Sequence, residues 1–184
     1  MQIMQALNNF TLPKNFRGRS KFIVQLWWIV DFWFFKLSPQ VMYGWRRFLL
    51  RLFGAKIGKS VLIRSSVTIT YPWKVSIGDY SWIGDNVEIY SLGNIKIGSN
   101  VVISQKSYLC AGSHDYSKKN FPIFSGNIII EDECWLATDV YVGPNVTIGK
   151  GTVVGARSSV FRDLPPGMIC FGSPAKPIKV RKIQ

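Results

Sequence analysis

The sequence predicts an all-β fold, a parallel β-helix of hexapeptide repeats with a helical segment in front and a short tail behind. Three observations carry this. First, an aliphatic residue returns every six positions: Ile57, Ile63, Ile69, Val75; then Ile77, Ile83, Ile89, Ile95; then Ile97, Ile103, Leu109; then Ile130, Leu136, Val142, Ile148, Val154, Val160. Second, small or turn-tolerant residues follow many of these, as at Gly58, Gly78, Gly98, Ala137 and Gly155, and small or branched residues recur four places on, as at Val61, Ser81, Val87, Ser107 and Thr152. Third, the phase slips by two residues at Ile77 and again at Ile97, so equivalent positions lie twenty residues apart.

A period of six fits neither a helix at ~3.6 residues per turn nor a hairpin array. It suits three short strands per turn, each turning one aliphatic inward. Three hexapeptides then make one triangular coil, and each slip reads as a small bulge. About five coils, at the ~4.8 Å between hydrogen-bonded strands, give a prism ~24 Å tall. A sandwich of short strands would show period-two alternation with irregular turns instead.

Residues 1–55 form the front segment. Residues 22–35 read FIVQLWWIVDFWFF; Gln25 and Asp31 interrupt the run, which falls short of the ~20 residues a membrane span needs. After a break at Ser38 and Pro39, Val41, Met42, Trp45, Phe48, Leu49, Leu52 and Phe53 fall at helical spacing, flanked by Arg46, Arg47 and Arg51. Two uses stay open for residues 22–53. They could cover the open strand ends of the prism or pack within an oligomer. They could also make peripheral contact with a membrane, rings settling at the boundary and guanidiniums on headgroup phosphates.

The coils occupy 56–165, with one long excursion at 115–127, and the tail is 166–184. The excursion, DYSKKNFPIFSGN, loses the aliphatic register and carries Pro, Gly, Ser and two lysines, which reads as a protruding loop. Long loops on rigid scaffolds commonly shape active sites. His114, the only histidine of the chain, stands immediately before it. An imidazole can be neutral near pH 7 and accept a proton from a hydroxyl or amine, which makes His114 the candidate general base. One histidine also excludes a three-histidine zinc centre, so no metal site is expected. Asp115, or Asn86 and Asp85 from a neighbouring coil corner, are the candidates for orienting the ring.

At 184 residues the chain reads as one domain, and 47% hydrophobic content is ample for a core. Met1 to Ser20 lacks the basic head and apolar run of a signal peptide, so a cytoplasmic location is expected, with the inner face of the membrane as the site of any peripheral contact. Cys110, Cys134 and Cys170 have no CxxC spacing and read as reduced core thiols. The net charge of +13 calls for an anionic partner. Nucleic acid is not expected, because the basic residues flank apolar ones or lie near the C terminus and no recognition motif is present.

The register, the lone histidine in GSHDY and the tail VGARSSVFRDLPPGMICFGSPAKPIKVRK together resemble the left-handed β-helix acyltransferases. YGWRRFLLRLFGAKIG, YPWKVSIGDYSWIGD, NIKIGSNVVISQ and YLCAGSHDY resemble the colanic-acid-biosynthesis type of sugar O-acetyltransferase. The resemblance implies a homotrimer, acetyl-CoA as co-substrate in the groove between neighbouring prisms, and a site built from two chains. It also implies that Trp135 and Thr138 line the groove beside the pantetheine arm, and that Gly155 and Ala156 let the coenzyme approach the main chain.

Relatives commonly carry glycine or a small residue where this chain has Arg157, and often threonine where it has Phe161. Arg157 could instead meet a phosphate, with Arg162, Lys176 and Lys179 as further candidates. The expected reaction is direct acetyl transfer to a sugar hydroxyl in exopolysaccharide or surface-glycan synthesis, the acceptor being lipid-linked, nucleotide-linked or polymeric. The alternatives are acetylation of a small soluble acceptor and a non-catalytic scaffold at the membrane.

Overall fold

The computed structural model describes residues 4–183, so the outermost positions of the front segment and tail (1–3 and 184) lie outside the described residues. Five stacked coils form a three-faced prism. The first face comprises Lys56–Ile57, Val75–Ile77, Ile95–Ile97, Ile128–Ile130 and Val146–Ile148. The second comprises Leu62–Ile63, Trp82–Ile83, Val102–Ile103, Trp135–Leu136 and Val153–Val154, extended by the tail strand Met168–Gly172. The third comprises Thr68–Ile69, Glu88–Tyr90, Tyr108–Cys110, Tyr141–Val142 and Ser159–Val160.

Strands within a face are parallel and in register, as at Ile57, Ile77 and Ile97, so equivalent aliphatics stack from coil to coil. These aliphatics are buried, and with the inward valines they form one continuous core. The inward serines and threonine are hydrogen-bonded: Ser81 Oγ donates to the Gly98 carbonyl (2.7 Å), Ser107 Oγ to Ala137 (3.1 Å) and Thr152 Oγ1 to Pro165 (2.6 Å). Burying these hydroxyls is therefore compatible with a dry interior. All three cysteines are buried and unpaired.

The extra residues between Ile69 and Ile77 form a short 3-10 turn, Pro72–Lys74, at the corner between third and first faces. The excursion leaves the prism at the same corner one coil beyond the Ser91–Asn94 turn. It is not a plain loop. Gly112–His114 pairs antiparallel with Ile123–Ser125 to make a two-stranded arm, and only 115–122 is its tip. Strand Ile128–Ile130 already belongs to the first face. The sequence reading missed the arm because a three-residue ladder leaves no periodic trace.

The front is an α-helix, α1 (Lys21–Val30), continuing as a π-turn over Asp31–Lys36, and a second helix, α2 (Tyr43–Leu52). Val41 and Met42 precede α2 rather than belonging to it. Each coil donates its N–H groups to the next, as Gly58 to Ile77 (2.8 Å) and Gly78 to Ile97 (2.8 Å). The first coil therefore has carbonyls with no strand to receive. The helices supply the donors: Trp27 Nε1 to Ile69 (2.8 Å), Arg46 Nε to Ile63 (2.7 Å), Arg47 Nη1 to Val61 (2.9 Å) and Arg51 Nη2 to Ile57 (2.7 Å).

Of the two uses left open for this segment, covering the open strand ends is the one these three guanidiniums serve. They point into the prism end because an open row of carbonyls is a stronger local demand than solvent. Arg46 is wholly buried and also donates to Ser38 Oγ, Pro39 O and Gln40 O.

Candidate functional site

His114 ends the outgoing strand of the arm, opposite Ile123. Its Nδ1 lies 2.9 Å from the carbonyl oxygen of Phe121. A carbonyl only accepts, so in the neutral ring the proton sits on Nδ1 and Nε2 keeps the lone pair. The Phe121 ring stacks on the imidazole, centroids 4.4 Å apart and planes 10° apart, while Phe10 of the front segment approaches within 6.1 Å. Phe121 holds a left-handed φ of 46°, uncommon for a bulky residue, and that turn is what aims both its carbonyl and its ring at the histidine.

The base of the arm is fixed to the prism. Ile123 packs with Tyr90, Phe16 and the buried Leu92, and a Cβ on Gly112 would meet Leu92 Cδ1 at 2.7 Å. Residues Ser113, His114, Asp115, Lys118, Pro122 and Phe124 border a concavity of about 590 Å³. A comparable hollow of about 620 Å³, beside Asn100, Glu133, Lys150 and Arg181, holds none of the candidate residues.

Asp115 does not orient His114. Its carboxylate accepts from the N–H and hydroxyl of Ser117 and pairs with Lys118 Nζ at 3.3 Å, closing the arm tip. The Ser117 hydroxyl, first, and its N–H hold this carboxyl below the usual carboxylate range. Asp115 is the first residue after strand Gly112–His114, and its carboxylate is turned to the tip rather than to the ring. Asn86 and Asp85 stand at the corner between second and third faces, not at the corner where the arm leaves. Asn86 takes a left-handed φ of 55° and its N–H donates to Ser66 Oγ; Asp85 accepts from Ser66 Oγ (3.0 Å) and pairs with Arg64 (3.1 Å). Neither is a partner of His114 within the chain.

Most of the coenzyme candidates gather around the second face and its corner with the third. Trp135 lies outward on the second face with Nε1 donating to Ser104 Oγ (3.0 Å), and Thr138 Oγ1 donates to Gln105 O (3.1 Å). Arg157 occupies the same corner one coil on, its N–H donating to Thr138 O (2.9 Å) and its Nε 3.6 Å from Asp139. Its φ is 58°, as are Asn86, Lys106 and Asp139 within a few degrees, so four of the five coils carry a left-handed residue at this corner. A glycine would adopt this φ without strain. Ala156 is exposed.

Gly155 is buried, and within the chain its smallness has a cause of its own: a Cβ there would clash with Cδ1 of Phe171, whose ring in the tail strand covers it. Lys176, opposite Phe171, and Lys179, opposite Ile169, lie on the outer tail strand Ala175–Val180. Arg162 is set apart, following Ser159–Val160 at the corner between third and first faces.

Two features had no sequence signal. The Phe121 carbonyl is a backbone acceptor seven residues from the ring it binds. The outward side of the third face carries an aromatic column, Tyr90, Tyr108, Tyr141 and Phe161, with successive centroids 6.1, 5.8 and 5.5 Å apart. Its spacings in sequence are irregular because the arm is inserted between Tyr108 and Tyr141, and Tyr90 and Phe161 sit two residues beyond the positions paired with those tyrosines. Burial, with the neighbouring Cys110 thiol, pushes the Tyr141 phenol up to about 12 and raises Tyr108 and Tyr90 as well.

The family model described as bacterial transferase hexapeptide (six repeats) matches residues 127–162. The chain is 61% identical over 178 residues to a protein of Escherichia coli K12 described as a colanic acid biosynthesis acetyltransferase, WcaF, covering 97% of this chain and 98% of that one. Among solved structures, a hexapeptide-repeat acetyltransferase of Vibrio cholerae superposes with a TM-score of 0.81 at 25% identity, covering 89% of this chain and 93% of that one. The same Vibrio protein has been crystallised with acetyl coenzyme A. A maltose O-acetyltransferase of Clostridium difficile shares the fold, with a TM-score of 0.79 over 93% of this chain and 90% of that one at 22% identity. With the coil stack, the arm and near full-length identity at this level, the chain belongs to the hexapeptide-repeat acetyltransferases, in the branch of the colanic-acid-biosynthesis proteins.

Proposed function

We propose that this acetyltransferase transfers the acetyl group of acetyl-CoA directly to a sugar hydroxyl during bacterial exopolysaccharide or surface-glycan synthesis, with His114 as general base. The observation that carries the reading is the 2.9 Å contact of Nδ1 with the Phe121 carbonyl, which leaves Nε2 free to accept a proton. As the sugar oxygen attacks the thioester carbonyl, its proton passes to Nε2. The tetrahedral oxyanion then collapses, the carbon–sulfur bond breaks, and the proton is available to the departing thiolate. Holding donor and acceptor in fixed orientation on a rigid coil supplies much of the rate.

The chain acts as a homotrimer in this reading. Within one copy the arm and the coenzyme candidates other than Arg162 stand at opposite ends of the third face. Thr138, at the turn before strand Tyr141–Val142, and Gly143, just after it, mark those ends. A neighbouring copy that sets its Trp135, Thr138 and Ala156 strip against the arm closes that gap. Arg157 and Lys176 are then placed for the phosphates of the donor, and Lys179 lies further along the tail. Residues 22–53 rest peripherally on the inner face of the membrane, beside a lipid-linked acceptor.

The test is thiol release from acetyl-CoA with lipid-linked and nucleotide-linked sugars, comparing wild type with His114→Ala. Acceptor-dependent release that disappears in the variant supports the reading. Full activity in the variant removes His114 as base, and no release or acetyl-CoA binding at all removes the transferase reading.

A further inference from the structure

The front helices have two faces with unlike demands. The inner face of α1 and its π-turn buries Val24, Trp27, Asp31 and Phe35 against the coil end. The π-turn keeps Trp27, Asp31 and Phe35 on that one side, with the buried Asp31 paired to the exposed Lys36 at 3.3 Å. The outer face presents Phe22 (73% exposed), Trp28 (46%), Ile29 (54%), Phe32 (56%), Trp33 (59%) and Phe34 (53%). Gln25 is the one exposed polar side chain between Phe22 and Phe34, and a face this apolar is not a water-facing one. The helix and turn together span sixteen residues, about 24 Å, and no helix among the described residues is long and apolar enough to cross a membrane.

Charge selects the occupant. Residues 1–64 carry eleven lysines and arginines and one acid, the inward-facing Asp31; the other 120 residues carry twelve basic and nine acidic groups. Lys14, Arg19 and Lys21 are exposed just before and at the start of α1. A second copy brought front to front would present the same positive field and be repelled. An anionic surface with an apolar interior satisfies both the charge and the rings.

We infer that the outer face of α1 and its π-turn lies in the plane of an anionic lipid bilayer, its phenylalanine and tryptophan rings buried at the headgroup boundary. This deepens the peripheral placement above and does not depend on acetyl transfer, since vesicle binding needs no acyl donor.

The experiment is co-sedimentation of the full chain with vesicles of phosphatidylcholine alone and with about one third phosphatidylglycerol, at low and high salt. The chain is expected to sediment with the anionic vesicles, to be released by salt, and to leave pure phosphatidylcholine unbound. Replacing both Trp28→Gln and Trp33→Gln is expected to weaken vesicle binding by at least about tenfold, with an unchanged sedimentation coefficient and unchanged acetyl-CoA binding. Absence of wild-type binding to anionic vesicles overturns the inference, as does binding that the double variant retains. Loss of the oligomer in the double variant also overturns it, showing the face to be a subunit interface. Acetyl transfer to a water-soluble acceptor, measured alongside, reports separately on the catalytic reading.

Discussion

His114 and Phe121 are joined twice: the ring of one stacks on the other at 4.4 Å, and the backbone carbonyl of Phe121 accepts from Nδ1 at 2.9 Å. A single left-handed residue therefore sets both the tilt and the tautomer of the imidazole. His114→Ala is expected to lower kcat by about 10²- to 10⁴-fold. Phe121→Gly keeps the carbonyl and tolerates the φ but removes the stacked ring; kcat should fall about 10- to 100-fold, with KM for acetyl-CoA unchanged. Steady-state kinetics separate the two parameters, and an unchanged kcat would deny Phe121 its positioning role.

Asp115→Asn makes the opposite case. A carboxylate that orients a catalytic imidazole costs about 10⁴-fold in kcat when replaced by an amide. Asp115 instead closes the arm tip through Ser117 and Lys118. The variant should keep kcat within about an order of magnitude of wild type, and any loss should accompany greater protease sensitivity of residues 115–122.

Arg46 is buried without an acidic partner and donates to four oxygens, on Ile63, Ser38, Pro39 and Gln40. Arg46→Met leaves those carbonyls unpaired at the prism end. Urea denaturation should show a loss of about 3–5 kcal/mol. Arg46→Lys should not restore it, because one ammonium cannot reproduce the planar fork that reaches the coil and the α1–α2 connection together.

Gly155→Ala places a methyl group into the Phe171 ring. The expected cost is about 1–3 kcal/mol. Adding Phe171→Ala should return part of it in a double-mutant cycle, which tests whether the tail strand, rather than a coenzyme, explains the glycine.

Burial pushes the Cys134 thiol up to about 11 from its ordinary 9.0. The folded state therefore holds this proton more tightly than the unfolded state. The contribution is fully present below pH 9 and is lost as the pH rises towards 11. The shift corresponds to about 3 kcal/mol at full extent. Stability measured between pH 8 and 12 should fall more steeply in wild type than in Cys134→Ala, and maleimide should not label Cys134 in the folded chain at pH 8.

The coil was legible from the residues alone. An inward aliphatic every six residues states locally which way each side chain faces, and the twenty-residue spacing states the coil length, so strand number and stacking register were readable without any long-range information. The lone histidine beside the break in that period was readable for the same reason. Only the tertiary structure decided what meets His114, because its acceptor is a backbone carbonyl delivered by a chain reversal that carries no periodic signature. The same holds for Arg46, Arg47 and Arg51. Their helical spacing left both an outward basic flank and a cap open, and the unpaired carbonyls of the first coil, six to seventeen residues on, drew them inward. The positions of Asn86 and Thr138 relative to the arm likewise follow from which prism corner each occupies, a matter of coil winding rather than of composition.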